Sequence, residues 1–300
     1  MAWLREEKGV VLVLVAAALV ALLGFGALVT DVGLLMLDRE RVANAADAAA
    51  LAGAAFLPEN PAAAVSTAQE YALKNGAQPG EVNVTVGPDG KSITVDAVHA
   101  VNFSLARALG FTASTVSAHA RAEVGAVSEL YGAAPLGVRE QSLEFGRLYN
   151  LKVGGDAGEH GNFGALALGG HGANNYEDNL REGYQGWLKV GNILETEPGN
   201  MSGPTQRAVE DRIRGHESCT WQHHCRNCPR VIYTPVYRVV GTLQGRSQVE
   251  VVGFAAFFLD GVTGSGNDCY VQGYFIQKLV SGARGIGGDD YGLRTVKLVE

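Results

Sequence analysis

The sequence predicts an α+β protein in which a long hydrophobic N-terminal helix precedes a mostly antiparallel, β-rich head. Residues 10–30 carry no charged side chain, and the Ala-rich stretch after them continues without a proline. Further along, apolar and polar residues alternate in short runs bounded by Gly, Pro, Asn or Asp, which is typical of strands. Apolar residues make up 47% of the 300, enough to bury a sizeable core. We therefore expect three segments: a hydrophobic helix at 1–56, a small α+β module at 57–130, and a Gly-rich head domain at 131–300.

The N-terminal helix is long enough to cross a membrane. At about 1.5 Å per residue, the uncharged run from Val10 to Thr30 reaches about the 30 Å of a bilayer hydrocarbon core. A secretory signal peptide usually has a shorter apolar region and a small-residue cleavage site, whereas here the apolar pattern continues. The alternative is a buried core helix of a soluble protein. We favour a span with its N-terminus inside, which leaves the head extracytoplasmic.

Asp31 stands at the end of the uncharged run. An ionised carboxylate at this position can reach the membrane interface. The alternative is that Asp31 pairs with a basic group or a free N-terminus on a neighbouring copy of the chain. Small side chains in the same helix allow close contact between helices. The predicted assembly helix therefore uses residues of this segment, namely Val10, Leu14, Ala18, Leu22, Gly24, Gly26, Asp31 and Leu35.

The helix also carries a specific string of residues. Lys8-Gly9 precedes the apolar run, which is followed by DVGLLMLDRERVANAADAAALAGA from Asp31 to Ala54. This order closely resembles the N-terminal region of the TadE/TadG-like tight-adherence (Flp pilus-assembly) family. The resemblance implies a single membrane helix, an extracytoplasmic head at the cell surface, and a non-catalytic role in pilus biogenesis or as a pilin-like subunit. The alternatives are a membrane-anchored accessory factor or adhesin that does not polymerise, and a metal-binding surface protein or ectoenzyme. It also implies partners: copies of the chain through the helix, the tight-adherence secretion machinery, and the membrane.

Gly9 is the candidate processing site that this resemblance suggests. Prepilin peptidase substrates of this system usually carry a Glu a few residues after the cleaved glycine. The fifth residue after Gly9 is Leu14, which departs from that pattern. The departure argues against cleavage at Gly9 and against a pilin-style glutamate.

Local patterns predict the elements of the second segment. Residues 62–76 favour a short helix that ends at Gly76. VNVTV and SITVDAVHAV, joined by the turn GPDG at 87–90, predict a β-hairpin. Residues 102–110 favour a second helix, with Phe103, Leu105 and Leu109 facing inward, and residues 112–127 a further strand.

The third segment is predicted to be a mostly antiparallel sheet. Two helices interrupt it, at about 175–185 and 204–215, the latter with Pro204 in its first turn. The predicted strands lie in six runs: GRLYNLKVG, GNFGALALGG, GWLKVGNIL, PRVIYTPVYRVVGTL, SQVEVVGFAAFFLDGV and CYVQGYFIQKLVSG.

The Cys/His loop, residues 216–228, is the most informative cluster of reactive side chains. It holds three of the four cysteines, and the fourth is Cys269. In an oxidising compartment this suits two disulfides: Cys219 to Cys225 or Cys228, with the remaining cysteine joined to Cys269. The alternative is a zinc site made by Cys225 and Cys228 with a third cysteine and a histidine. We favour the disulfides, and assign no residue to a metal or cofactor.

Other functions have weaker support in the sequence. The net charge is −7, and the basic residues form no stripe with aromatic residues, so nucleic acid is an unexpected partner. No G-x-S-x-G or H-E-x-x-H motif occurs, and we assign no catalytic residue. Calcium binding at carboxylates in Gly- or Asn-rich surroundings is an alternative to solvated turns, at Glu177, Asp178, Asp260, Asp268, Asp289 and Asp290.

Overall fold

The long N-terminal helix is present in the computed structural model, which describes residues 4–152, 163–197, 199–241 and 246–299. Helix α1 spans Leu4–Ala54. In its last turns the alanines at 45, 46, 49, 50 and 54 are fully buried. Their spacing of one, three or four residues places them along one side of the helix. The predicted α+β class, with a long apolar helix before a sheet-rich head, is confirmed.

Helix α2, Pro61–Lys74, packs on this alanine face. The Asn60 side chain accepts a hydrogen bond from the N–H of Ala63 at 3.0 Å, which caps the helix, and Pro61 occupies a first-turn position where no donor is lost. Ala64, Ala68 and Ala72 recur every fourth residue and are fully buried. The two helices thus meet through methyl groups.

The predicted hairpin and strand follow. Strands β1 (Val82–Val86) and β2 (Ser92–Asn102) pair antiparallel, and β2 then pairs antiparallel with β3 (Ala113–Tyr131). Helix α1 also contacts β2, where Ile93, Val95 and Ala97 are buried on alternate positions. These elements, with β3 only as far as Glu123, belong to the first of two compact units, Met1–Glu123 with Leu298–Glu300.

The helix predicted at 102–110 is wrong in length and type. Only a turn of 3-10 helix forms, at Ala106–Leu109. Pairing of β2 with β3 extends through Asn102 and Ala113, which takes the first residue of the predicted helix into the sheet. Gly110 then ends the turn at φ 93°. Leu105 is 48% exposed, so its predicted inward orientation is also wrong.

The second unit, Val124–Lys297, contains the rest of the strands. Helices α3 (Ala173–Glu182) and α4 (Ser202–Ile213) interrupt them near the predicted positions. The strands are β4 (Leu136–Arg139), β5 (Leu148–Lys152), β6 (Phe163–Ala167), β7 (Trp187–Lys189), β8 (Ile193–Thr196), β9 (Val231–Val240), β10 (Gln248–Thr263), β11 (Tyr270–Ile276), β12 (Lys278–Leu279), β13 (Arg284–Ile286) and β14 (Leu293–Leu298).

Five of these strands close on themselves. One of the two seven-stranded sheets has the order β5-β11-β10-β8-β6-β4-β9, and β9 also pairs with β10. Strands β10, β8, β6, β4 and β9 therefore form a closed circuit of hydrogen-bonded neighbours. Most pairings are antiparallel as predicted, with parallel pairs at β4–β9 and β12–β14. Closure leaves no free edge along the circuit for unwanted strand pairing.

Strand β10 is the central element of this unit. Its residues from Val251 to Leu259 are all buried. Successive side chains of a strand point to opposite faces. Accordingly Ala255, Phe257 and Leu259 belong to one apolar core, whereas Phe254, Ala256 and Phe258 belong to another. The strand is therefore covered on both faces, which explains its nearly continuous apolar sequence.

We expect the packing of α1 on α2 to be sensitive to one methyl group at Gly53. A Cβ there would lie 2.8 Å from the Ala64 carbonyl oxygen and 3.0 Å from the Ala68 Cβ. Gly53→Ala should therefore lower the free energy of unfolding by about 1–3 kcal/mol, measured by denaturant titration of the full chain in detergent.

Gly33→Ala is the matched control in the same helix, because a Cβ at Gly33 meets nothing within 4 Å. It should be neutral or stabilise by up to about 1 kcal/mol through helix propensity. Equal effects of the two variants would contradict this account of the packing.

Candidate functional site

The first half of α1 presents an exposed apolar surface. From Val10 to Leu23 every residue is exposed, and the large aliphatic side chains are between 52% and 72% exposed. This exposure covers the whole circumference of the helix, because consecutive residues over several turns share it. Further along, Leu28 and Val29 are still exposed, whereas Ala27 is buried. The helix is long and apolar enough to cross a membrane, and an 18-residue stretch of it has a mean hydropathy of 2.8. This half of α1 is therefore the candidate site of contact with a membrane or with other apolar helices.

Six of the eight residues predicted for assembly lie on this part of α1, whereas Asp31 and Leu35 follow it and are buried and half-buried. Val10, Leu14, Ala18 and Leu22 are four residues apart and exposed, so they follow one another along the helix. A Cβ added at Gly24 or at Gly26 would meet nothing within 4 Å. The same holds for Gly9, the candidate processing site. The single chain thus gives these glycines no internal packing role, and their role in assembly stays a prediction.

Asp31 has partners that the sequence analysis did not foresee. Its carboxylate is only 3% exposed and accepts hydrogen bonds from three successive backbone N–H groups. The N–H of Ser104 lies 2.8 Å from Oδ1 and that of Leu105 lies 3.0 Å from Oδ2, and the Ala106 N–H also donates to Oδ2. These groups open the 3-10 turn, so Asp31 caps it as an N-cap carboxylate would.

This contact changes the interpretation of Asp31. The predicted partner was a cation on a neighbouring copy or the membrane interface, whereas the structure provides donors more than seventy residues away in the same chain. A carboxylate that already accepts several N–H bonds has less need of an external cation. Asp31 therefore joins α1 to the segment that links β2 and β3.

The Cys/His loop lies between α4 and β9 and brings four potential ligands together. The ligand atoms of His216, Cys219, Cys225 and Cys228 all lie within 4.8 Å of one another. Cys225 is exposed, His216 and Cys219 are half-buried, and Cys228 is buried. The N–H of Cys225 lowers the pKa of the Cys219 thiol, whereas burial raises the pKa of the Cys228 thiol to about 11.

The predicted disulfides are not confirmed, because all four cysteines are free thiols in the structure. Cys269 is buried and is not one of the four converging residues. Burial raises the pKa of its thiol as well. The spacing of the cysteines was visible in the sequence, but the choice of His216 over His223 and His224 was not.

The carboxylates considered for calcium have several basic neighbours. Glu177 contacts Arg181 at 2.6 Å and Arg207 at 2.5 Å. Asp290 contacts Arg294 at 2.7 Å. Such ion pairs occupy carboxylate oxygens that a calcium ion would need. The structure thus favours ion pairing over calcium binding for Glu177 and Asp290.

We expect Asp31 to protect the amides that it binds. In Asp31→Ala the N–H groups of Leu105 and Ala106 lose their acceptor, so their hydrogen exchange should become faster. Asp31→Asn retains one oxygen acceptor and should fall between Asp31→Ala and the unchanged chain. Hydrogen exchange with mass spectrometry on the detergent-solubilised chain measures this.

Asp38→Ala is the control, since Asp38 contacts Arg41 on the surface of the same helix at 3.4 Å. It should leave exchange at residues 104–106 unchanged. If Asp31→Ala also left it unchanged, the cap would be contradicted.

Comparison with known proteins bears on the same helix. No curated protein and no solved structure matches the chain. A family model described as "Putative Flp pilus-assembly TadE/G-like" matches residues 9–55. The match covers nearly all of α1 and agrees with the resemblance seen in the sequence. Residues 9–55 are therefore similar to the TadE/G-like Flp pilus-assembly family.

Proposed function

We propose that the chain is a structural, non-catalytic, pilin-like subunit of a cell-surface filament, assembled through its hydrophobic N-terminal helix. The family match and the apolar helix together support a pilus-related role at the cell envelope. The assignment as a pilin-like filament subunit is based on one observation. An apolar stretch that is exposed around its whole circumference from Val10 to Leu23 continues, within the same helix, into a second half with a buried alanine face.

This division of α1 suits a subunit that packs one half of the helix inside its own fold and places the other half in a membrane or a filament core. The buried half fixes the direction in which the exposed half leaves the first unit, because both belong to one continuous helix. Burying an exposed Leu or Val side chain is worth about 1.5–3 kcal/mol. Many such side chains project from Val10–Val29, so neighbouring copies or lipid must cover them in the cell.

The proposal also implies which partners the chain has and where in the cell it lies. Copies of the chain contact one another through α1, which lies in the membrane before assembly and in the filament core afterwards. The tight-adherence secretion machinery would carry out that transfer, and the head would be extracytoplasmic. The net charge of −7 gives no support to a nucleic-acid partner.

A second candidate is a membrane-anchored accessory factor or adhesin that does not polymerise. The contacts of Asp31 favour it, because this carboxylate is satisfied within its own chain and is not left to register a neighbouring copy. In this case the exposed half of α1 would face lipid only. Both candidates use the same helix and differ in what covers it.

Photo-cross-linking in the native cells distinguishes the two candidates. A benzophenone amino acid at Leu22, which is 69% exposed on α1, should give a ladder of multimers of the chain after irradiation. The same group at Leu73, which is 47% exposed on α2, is the matched control and should give no such ladder. Electron microscopy of sheared surface material should then show filaments that bind antibodies against the head. Adducts to lipid or to other proteins only, with no filament containing the chain, would support the accessory factor instead.

Gly24→Leu tests the same helix contact without a photo-reactive group. A side chain at Gly24 has open space in the single chain, so folding should be unchanged. Close packing between helices should be lost, at a cost of about 1.4 kcal/mol or about tenfold in association. The yield of sheared filaments measures the effect, and Val20→Leu, which adds one methylene at an exposed position, is the control.

A further inference from the structure

We propose that the Cys/His loop binds one structural zinc ion through His216, Cys219, Cys225 and Cys228. The inference depends on residues of the second unit alone, so it is independent of whether the chain polymerises. It assigns a metal to a part of the chain outside the matched family segment at residues 9–55.

The ligand spacing is the first argument. His216-x-x-Cys219 and Cys225-x-x-Cys228 are two pairs, each with two residues between the ligands. Short-spaced pairs of this kind, brought together by a loop, are typical of Cys₃His structural zinc sites. Such sites fill all four tetrahedral positions with protein ligands, which suits a structural ion.

The geometry is the second argument. Ligand atoms around a tetrahedral zinc at about 2.3 Å lie about 3.8 Å from one another. Here all four lie within 4.8 Å of one another, and His216 Nδ1 is 3.9 Å from Cys225 Sγ. A contraction of at most about 1 Å would therefore complete the coordination. Two disulfides would instead require Cys269, which is not part of this group.

Backbone hydrogen bonds hold both ligand pairs in tight turns. The N–H of Cys219 donates to the carbonyl oxygen of His216 at 3.0 Å, and the N–H of Cys228 donates to the carbonyl oxygen of Cys225 at 3.1 Å. Each pair is therefore closed by a bond between its own two residues, which fixes the short spacing that a shared metal ion requires.

The Arg230 side chain forms hydrogen bonds with the backbone of the Cys/His loop. Its side chain is buried, and it donates to the carbonyl oxygens of His216 at 3.1 Å and Cys219 at 2.8 Å. Its Nε donates to the carbonyl oxygen of Leu259 on β10 at 2.9 Å, and its guanidinium lies 4.6 Å from the centre of the Phe258 ring. Arg230 thus ties the ligand-bearing turns to the central strand.

The charge balance agrees with a metal at this position. Three thiolates and a neutral histidine around Zn²⁺ carry a net charge of about −1. The buried Arg230 guanidinium supplies positive charge beside the site and also contacts the Asp260 carboxylate at 3.6 Å. A zinc–thiolate group would add a second negative charge beside this guanidinium, whereas neutral thiols would add none.

The test uses the full chain, purified in detergent without chelator or reductant. Elemental analysis should find about one zinc per chain. The thiols of the denatured protein should number near four after chelation, as the four cysteines require. Near-zero free thiols without metal would establish the disulfides and overturn the proposal. Free thiols that take up neither zinc nor cobalt would overturn it as well.

Matched variants locate the site. His216→Gln and Cys225→Ser should each lower the zinc content or weaken binding at least about tenfold, measured by competition with a chelator. His223→Gln is the control, because His223 is exposed in the same loop and outside the converging group. In the cobalt-substituted protein, Cys225→Ser should also weaken the sulfur-to-cobalt charge-transfer band, an effect that misfolding of a metal-free loop would not produce. Equal zinc content in His216→Gln and His223→Gln would contradict this ligand set.

Arg230 is a positioning residue in this proposal. Arg230→Lys keeps the charge but loses the planar fork of donors that reaches several carbonyl oxygens. The affinity for zinc should fall about 10- to 100-fold while the cobalt spectrum stays tetrahedral. An unchanged affinity for zinc in this variant would show that Arg230 does not position the ligands.

Discussion

The packing of small side chains along α1 is the constraint on which the first unit depends. The alanines of its last turns and those of α2 are fully buried, and at Gly53 an added Cβ would lie within 3.0 Å of both Ala64 and Ala68. Close packing of this kind tolerates little added volume, because interiors are filled to crystal-like density. The first half of the same helix is apolar and largely exposed. One continuous helix therefore carries two kinds of surface. Its second half packs closely inside the chain, and its first half is available for contact with lipid or with other chains.

Local patterns predicted much of the fold. The bounds of α1, the α2 helix, the β1–β2 hairpin and both helices of the second unit came from periodicity, capping residues and turn residues, which act over a few positions. The closed circuit of β10, β8, β6, β4 and β9 could not be predicted in this way. Its pairings join segments far apart in sequence, and neither alternation nor turn residues encode which strand lies beside which.

The candidate sites likewise have features that the sequence pattern predicts and features that it does not. The apolar run and the cysteine spacing were visible in the sequence, so the membrane-competent helix and the metal alternative could be formulated. The cap on Asp31 depends on a loop more than seventy residues away, and the role of Arg230 depends on carbonyl groups of two separate segments. Both contacts use backbone atoms, which carry no signature in the side-chain pattern. The helix at 102–110 failed for a related reason, since sheet pairing took over its first residue.

Strand β10 links the stability of the two apolar cores. Alternate side chains of β10 enter different apolar cores. If β10 moved away from one core, the other core would also lose the side chains that this strand contributes to it. Partial opening of the second unit would expose Phe257 on one face or Phe258 on the other, together with backbone that pairs with β9 and β11. The second unit should accordingly unfold in a single cooperative step. A unit that unfolds in one step has no long-lived half-open form whose apolar strands could associate with other chains.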